Sequence, residues 1–209
     1  MASFAAMDKS LAAHWEKIYA SKQPHEVSWT EAVPQHSLEM IAALKLPKEA
    51  HIADIGGGDS RLVDHLLQLG YTHITVVDIS ANAIERAKKR LGKKALAVHW
   101  VVSNVLDFVP DSPIDLWHDR ATFHFLIDAA AVKKYLGKLD QFVRGYVIIA
   151  AFSTEGPDKC SGLPVQQYNE GSLCQLLQDH FSKIKCESAL HLTPAQARQA
   201  FVYCGFKRV

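Results

Sequence analysis

The 209-residue sequence lacks several features that would place it in a large class of proteins. No apolar run approaches the roughly 18 residues of a membrane-spanning helix, and the start, Met1–Asp8, lacks the basic segment and long apolar core of a secretory signal. The formal net charge of +1 gives no electrostatic footprint for nucleic acid or an acidic membrane surface. These absences predict a cytoplasmic protein with neither a membrane nor a nucleic acid as partner.

Cysteine is also scarce. The four cysteines, at positions 160, 174, 186 and 204, are widely spaced and form no Cys-x-x-Cys pair. This spacing favours reduced thiols over a disulfide framework or a zinc site, and we predict no bound metal. Cys160 is interpreted as a small filler residue within a long loop, 153–168, whose length is typical of a substrate lid.

From residue 51 onward, short apolar runs alternate with helical stretches, a pattern typical of a parallel sheet covered on both faces. We predict an α/β, Rossmann-like, doubly wound sheet of seven mostly parallel strands, with an antiparallel C-terminal hairpin at 183–192 and 200–207. No repeat or linker interrupts the pattern, so residues 1–209 are expected to form one domain: a helical lead-in at 1–48 and a core at 49–209. The predicted helices of the core cover 60–69, 80–91, 129–142 and 171–180.

A run of three glycines, Gly56–Gly58, lies between a short apolar strand and a helix. Such a turn lets the backbone approach a ligand closely. Twenty residues after Gly58, a second apolar run ends in Asp78, where a βαβ unit places a carboxylate beside a ribose hydroxyl. These spacings predict an adenosine-containing ligand.

Two nucleotide-binding patterns are missing from this turn. A dinucleotide fingerprint requires a third glycine at position 61, where this chain has Arg61, and no Gly-Lys-Ser/Thr follows for a phosphate loop. What remains is acid-x-Gly-x-Gly, formed by Asp54, Gly56 and Gly58 and followed by Ser60. This pattern resembles the first motif of class I S-adenosylmethionine-dependent methyltransferases, including the Gly-x-Gly-x-Ser variant of some lysine methyltransferases.

The resemblance implies S-adenosylmethionine as cofactor and a role for several residues around it. Asp78 would bind both ribose hydroxyls, Ile79 would lie on one face of the adenine, and Asp54 would lie beside the methionine part. At the end of the third strand, Asn104 and its neighbour Val105 take the adenine position, where a side-chain carbonyl accepts a hydrogen bond from the exocyclic amine. Asp107, three residues further on, is the competing candidate.

The lead-in carries three aromatic residues, Trp15, Tyr19 and Trp29. Their pattern resembles the segment that precedes the core of lysine methyltransferases acting on an elongation factor or citrate synthase. That resemblance implies a lid over the cofactor, whereas packing of the lead-in helices on the sheet is the other interpretation. We predict the lid.

The segment after strand four, Asp119–His124, resembles in form a second motif of the same subgroup but has Arg120 and His124 where that motif has a lysine and an acid. His118, Asp119 and His124 are the candidate polar groups at the catalytic mouth. Of these, His124 and Asp119 are the candidate catalytic residues, since a histidine titrates near neutral pH. Arg120 is expected to bind a carboxylate of the cofactor or the substrate.

The sequence thus predicts an S-adenosylmethionine-dependent methyltransferase whose acceptor is a small molecule or a protein lysine, acting as a monomer or weak dimer. A non-catalytic cofactor-binding module of the same fold is one alternative. An NAD-linked oxidoreductase is another, which Arg61 and the lack of a substrate domain oppose.

Overall fold

The computed structural model describes the backbone of residues 4–209 and the side chains from residue 10 onward. Seven strands form one sheet in the order β3-β2-β1-β4-β5-β9-β8, and two further strands form a separate hairpin, β6-β7. The strands are β1 (Ile52–Ile55), β2 (Ile74–Asp78), β3 (Val98–Val102), β4 (Ile114–Arg120), β5 (Val143–Phe152), β6 (Lys159–Cys160), β7 (Leu163–Pro164), β8 (Phe181–Leu192) and β9 (Arg198–Arg208).

The first five strands are parallel, while β9 pairs antiparallel with both β5 and β8. The predicted Rossmann-like fold class, with its antiparallel C-terminal hairpin, is confirmed. Strand order reverses at β1, whose neighbours are β2 and β4. In open α/β sheets a ligand binds at the carboxyl ends of the strands on either side of such a point.

Six α-helices accompany the sheet in the described residues, and their termini follow local signals. The side chain of Ser80 accepts a hydrogen bond from the backbone of Ala83 at 3.2 Å, and Asp128 caps the next helix through Ala130 at 2.7 Å. The helices are α1 (Phe4–Ser21), α2 (Gln35–Ala43), α3 (Leu62–Gln68), α4 (Ala81–Leu91), α5 (Ala129–Phe142) and α6 (Glu170–Leu177).

The core lies on both faces of the sheet. One face packs α5 and α6 through fully buried residues such as Trp117, Tyr135 and Leu173. The other packs α2 and α3 through Ile41, Leu66 and neighbouring apolar residues. Since adjacent residues of a strand point to opposite faces, a residue's position along β4 decides which of the two cores it faces.

The cysteine prediction was wrong for one pair. Cys186 of β8 and Cys204 of β9 are directly opposite in the strand register and are joined by a disulfide, whereas Cys160 and Cys174 are free. Their separation of 18 residues hides the pairing from sequence inspection, because the antiparallel register alone brings the two side chains together. Within residues 4–209, no helix has the length and apolar character needed to cross a membrane.

Candidate active site

The glycine turn after β1 is packed too tightly for side chains. Gly56 has φ 67° and its N–H donates to the carbonyl oxygen of Val77 at 2.7 Å. A Cβ on Gly56 would lie 1.8 Å from Oγ1 of Thr122, and one on Gly58 would lie 2.4 Å from Oδ2 of Asp78. The turn is therefore held between β2 and the segment after β4, with backbone rather than side chains facing the space beside it.

Asp78 ends β2 and lies in the wall of a cavity together with Ile79. Its carboxyl is 7% exposed and accepts the N–H of Ser80 at 2.8 Å. The pKa of Asp78 is raised to about 7. Burial is the largest cause and the nearby charge of Asp54 adds to it, while the hydrogen bonds from Ser80 and Gly58 oppose the change. A carboxylate held in this way has lone pairs left for a hydroxyl-bearing ligand.

Asp54 lies on β1, on the other side of the glycine turn, and also lines the cavity. It is 2% exposed, and its Oδ1 accepts from Nδ1 of His118 at 2.8 Å. Its Oδ2 is buried and has no hydrogen-bond partner among the described residues. Burial of an unpartnered carboxylate oxygen is costly, so this atom fits a donor supplied by a ligand.

The segment after β3 contains the two residues predicted as alternatives for the contact with adenine, Asn104 and Asp107. Asn104 and Val105 line the cavity. The Oδ1 of Asn104 accepts the N–H of Leu106 at 2.9 Å, which fixes the turn. Asp107 instead pairs with Lys134 at 2.8 Å on an exposed surface. The cavity wall therefore includes Asn104 and not Asp107.

The three aromatic residues of the lead-in come together over the cavity. The ring centroid of Trp15 lies 5.5 Å from that of Trp29 and 5.2 Å from that of Phe125, and Tyr19 lies 6.0 Å from Trp29. Burial raises the pKa of Tyr19 well above its ordinary value, and the charges of Asp78 and Asp59 add to this. We call Trp15, Tyr19, Trp29 and Phe125 the aromatic cluster.

Helix α1, which carries Trp15 and Tyr19, is anchored at the amino end of α4. The Glu16 carboxylate accepts the backbone N–H groups of Ala81 at 2.5 Å and Asn82 at 3.2 Å. A carboxylate at a helix amino terminus satisfies orphan donors and complements the helix dipole. This contact fixes α1 over the ligand side of β2.

Arg120, at the end of β4, lines the same cavity and is already engaged by protein groups. Its Nε donates to the Tyr203 hydroxyl at 2.9 Å, and a second guanidinium nitrogen lies 3.2 Å from Glu31. His191 lies 3.3 Å from the same Glu31 oxygen. Although burial opposes it, the hydrogen bond from His191 and the charge of Arg120 lower the pKa of Glu31.

The two candidate catalytic residues lie outside this wall. Asp119 is fully buried and accepts from the backbone of Thr122 and Phe123, both at 3.0 Å, and from the Tyr135 hydroxyl at 2.8 Å. Burial raises its pKa to about 6. Through these three hydrogen bonds Asp119 fixes the segment after β4, and its carboxyl group faces away from the cavity.

His124 is likewise fully buried, and its Nδ1 accepts the N–H of Phe152 at 3.3 Å. Burial lowers the pKa of His124 to about 3, and the charge of Arg120 contributes. The ring packs 4.5 Å from Phe125 and 4.6 Å from Phe152. Neither the location nor the pKa suits a base near neutral pH, so the structure does not support the expected role of His124.

The cavity that these elements surround has a volume of about 1010 Å³. It extends from the glycine turn, past the aromatic cluster, to the β6-β7 hairpin, which contributes Cys160, Leu163 and Pro164. The long loop predicted to be a substrate lid therefore supplies one wall. Burial raises the pKa of Cys160 to about 11, so its thiol is neutral there.

Sequence reasoning missed two polar residues of the cavity wall, Ser37 and Glu31. His118, one of the candidate polar groups after strand four, does line the cavity, because it lies two residues before Arg120 and shares its side of β4. Ser37 and Glu31 carry no comparable signal, since they belong to the lead-in and meet the core only in the folded chain.

Comparison with known proteins supports the class that this geometry suggests. Residues 52–144, from β1 to the start of β5, match a family model described as a methyltransferase domain. No curated protein matches the chain.

Three solved structures illustrate the similarity of the fold. The 1,6-didemethyltoxoflavin N1-methyltransferase of Burkholderia thailandensis is 17% identical, covers 100% of this chain and 92% of its own, and gives a TM-score of 0.76. An S-adenosylmethionine-dependent methyltransferase of Anabaena variabilis is 14% identical, covers 97% of this chain and 95% of its own, and gives a TM-score of 0.76. The magnesium protoporphyrin IX methyltransferase of Synechocystis is 16% identical, covers 97% of this chain and 95% of its own, and gives a TM-score of 0.66.

The matched segment, the sheet order and the glycine turn between two buried carboxylates agree with one another in pointing to a methyltransferase domain over residues 52–144. The matched segment thus supports a methyltransferase, and S-adenosylmethionine is the methyl donor of similar enzymes such as that of Anabaena variabilis.

Proposed function

We propose that the protein transfers the methyl group of S-adenosylmethionine to a small-molecule acceptor that enters the same cavity. The observation that carries this proposal is the cavity of about 1010 Å³, which is at the upper limit of typical ligand pockets, about 300–1,000 Å³. A cavity of that size has room for a cofactor and a small acceptor side by side. Two of the similar structures are named for small-molecule acceptors, a didemethyltoxoflavin and a magnesium porphyrin.

In this proposal the residues beside the glycine turn hold the cofactor. Asp78 accepts the ribose hydroxyls, Ile79 and Val105 pack on the adenine, and Asn104 lies at its edge. Asp54 presents its unpartnered Oδ2 to the ammonium of the methionine part, an interaction that satisfies a buried acceptor.

The remaining predicted contacts lie further along the cavity. The aromatic cluster covers the cofactor and excludes water, and Arg120 orients a carboxylate of cofactor or acceptor. The lead-in and the core would then act as one domain, because the cavity is lined by both. The cytoplasmic location and the monomeric or weakly dimeric state stay predictions.

The chemistry requires alignment more than proton transfer. The sulfonium of the cofactor supplies an already activated methyl group for in-line displacement. The chain's own residues therefore have to hold the acceptor's lone pair in line and keep water out. Since Asp119 and His124 face away from the cavity, we give neither of them a part in the reaction.

A protein lysine is the second candidate acceptor. The aromatic cluster favours it, because the lead-in resembles that of lysine methyltransferases acting on an elongation factor or citrate synthase. Arg120 and His124 depart from the second motif of that subgroup, and the β6-β7 hairpin forms a wall of the cavity on the acceptor side.

One labelling experiment tests the proposal. The enzyme is incubated with tritiated S-adenosylmethionine and a cell lysate that has been divided by ultrafiltration into protein and small-molecule fractions, with Asp78→Asn as the matched control. We expect enzyme-dependent label only in the small-molecule fraction. Label confined to protein bands would favour the lysine acceptor, and equal labelling by the Asp78→Asn enzyme would contradict the assigned cofactor site.

A further inference from the structure

Side chains from four elements that are distant in sequence meet beside the cavity, and the two hydrogen bonds of His118 join three of these elements. His118 of β4 lies between Asp54 of β1, with Nδ1 to Oδ1 at 2.8 Å, and Ser37 of α2, with Nε2 to Oγ at 2.9 Å. Ser37 in turn contacts the hydroxyl of Tyr203 on β9. Ser37, His118 and Asp54 are all at most 2% exposed.

The chemistry of the partners fixes the direction of these bonds. An ionised carboxylate only accepts, so Nδ1 of His118 carries the proton that is donated to Asp54. In the neutral ring Nε2 then accepts from the Ser37 hydroxyl. The Tyr203 hydroxyl accepts from Nε of Arg120 at 2.9 Å. The two hydrogen bonds of His118 thus run in one direction, from Ser37 to Asp54.

The result is a carboxylate with two unlike oxygens. Oδ1 is fixed by His118, whereas Oδ2 is buried without a partner among the described residues. The glycine turn holds the same carboxyl from the other side, since a Cβ on Gly57 would lie 2.4 Å from Oδ2. With one oxygen bonded and the other backed by the turn, the side chain has little freedom to rotate away.

We propose that His118 and Ser37 are positioning residues, which hold Asp54 so that its Oδ2 meets the ammonium of the cofactor's methionine part. The inference rests on the proposed cofactor site and adds the residues that orient it. Loss of His118 should therefore weaken the binding of ligands that carry the amino-acid part and leave the recognition of adenosine unchanged. A purely structural role would weaken both.

Calorimetry with two ligands tests this claim. S-adenosylhomocysteine carries the ammonium, and 5′-methylthioadenosine keeps the adenosine and the thioether but lacks the amino-acid part. We expect His118→Leu to weaken S-adenosylhomocysteine binding about tenfold or more, which is the usual effect of losing a hydrogen bond to a charged group. Binding of 5′-methylthioadenosine should change less than about twofold on the same scale.

Two further variants complete the test. His118→Asn places an amide donor near the Nδ1 position and should restore most of the lost affinity, while His99→Leu, an exposed histidine on β3, should change neither ligand. Should His118→Leu fail to fold, Ser37→Ala is measured instead and should show a smaller loss confined to S-adenosylhomocysteine.

The outcomes separate the two proposals. Equal losses for both ligands, or no loss for either, would overturn the positioning role while leaving the cofactor assignment intact. Wild-type protein that binds 5′-methylthioadenosine as tightly as S-adenosylhomocysteine would also overturn it. Absence of S-adenosylhomocysteine binding to the wild type would overturn the proposed function itself.

Discussion

Burial of Asp78 should make this carboxyl group destabilising when no ligand is bound. Its pKa is raised to about 7, with burial as the largest cause. In an unfolded chain an aspartate has a pKa of about 3.9. Because the folded-state pKa is the higher one, the folded protein resists ionisation. Its stability therefore falls as pH rises from about 4 and levels off above about 7.

The size of this effect follows from linkage between the two pKa values. Relative to an Asp78 whose pKa is the same in both states, the raised pKa lowers the stability of the folded protein by about 1.5 kcal/mol at pH 5 and by about 4 kcal/mol at pH 8. Asp78→Asn has nearly the same shape, keeps an acceptor for the N–H of Ser80 and does not ionise. The variant should therefore gain stability relative to the wild type by about 2–3 kcal/mol between these two pH values.

Urea denaturation of both proteins at about pH 5 and pH 8, without ligand, measures this difference. Any loss that does not depend on pH, such as the weakened hydrogen bond from Gly58, cancels in the comparison. Asp111→Asn, at an exposed aspartate, serves as the control and should show no comparable change. A stability difference between wild type and Asp78→Asn that is the same at both pH values would refute the reasoning.

Three other predictions follow from the same geometry. The affinity of the wild type for S-adenosylhomocysteine should fall by up to about tenfold per pH unit below about pH 7, because protonated Asp78 is a poor acceptor for the ribose hydroxyls. Asp78→Asn should bind this ligand about ten- to a hundredfold more weakly, with an affinity that does not depend on pH. A wild-type affinity that does not change with pH in calorimetry would contradict this prediction. Trp29→Ala should raise the dissociation constant for S-adenosylhomocysteine while lowering the free energy of unfolding by about 1 kcal/mol or less, as for a lid. Trp100→Ala, away from the cavity, should lower the free energy of unfolding and leave the dissociation constant unchanged. A loss of about 3–5 kcal/mol in the free energy of unfolding of Trp29→Ala would instead show core packing. Asp119→Ala should lower the free energy of unfolding by about 3–5 kcal/mol in urea denaturation, because it leaves three buried donors without an acceptor, two backbone N–H groups and the Tyr135 hydroxyl. Weaker cofactor binding with an unchanged free energy of unfolding would restore Asp119 as a candidate in the site.

Asp119 and His118 show what motif reasoning could not decide within β4. The linear pattern after strand four drew attention to Asp119, but neighbouring residues of a strand point to opposite faces. His118 and Arg120 lie on the side of Asp54 and the cavity, while Asp119 points towards Tyr135 in the other core. The pattern located the segment, and the pleat of the strand decided which side chains face the ligand.

Much of the fold was predictable because its signals are local. Helix α5 occupies the predicted 129–142, and α4 covers all but the first residue of the predicted 80–91, with Ser80 as its cap. The glycine turn and Asp78 were predictable for the same reason, since their geometry depends on a single βαβ unit and a fixed spacing.

The tertiary structure alone decided the contacts between distant segments. The disulfide between Cys186 and Cys204 depends on the register of β8 against β9, which shifts between Lys183 and Lys185. The chain from Tyr203 through Ser37 and His118 to Asp54 draws on four elements whose approach no local pattern encodes. Periodicity and capping act over a few residues and can be read from the sequence, whereas strand register and helix docking are set by burial of the whole core.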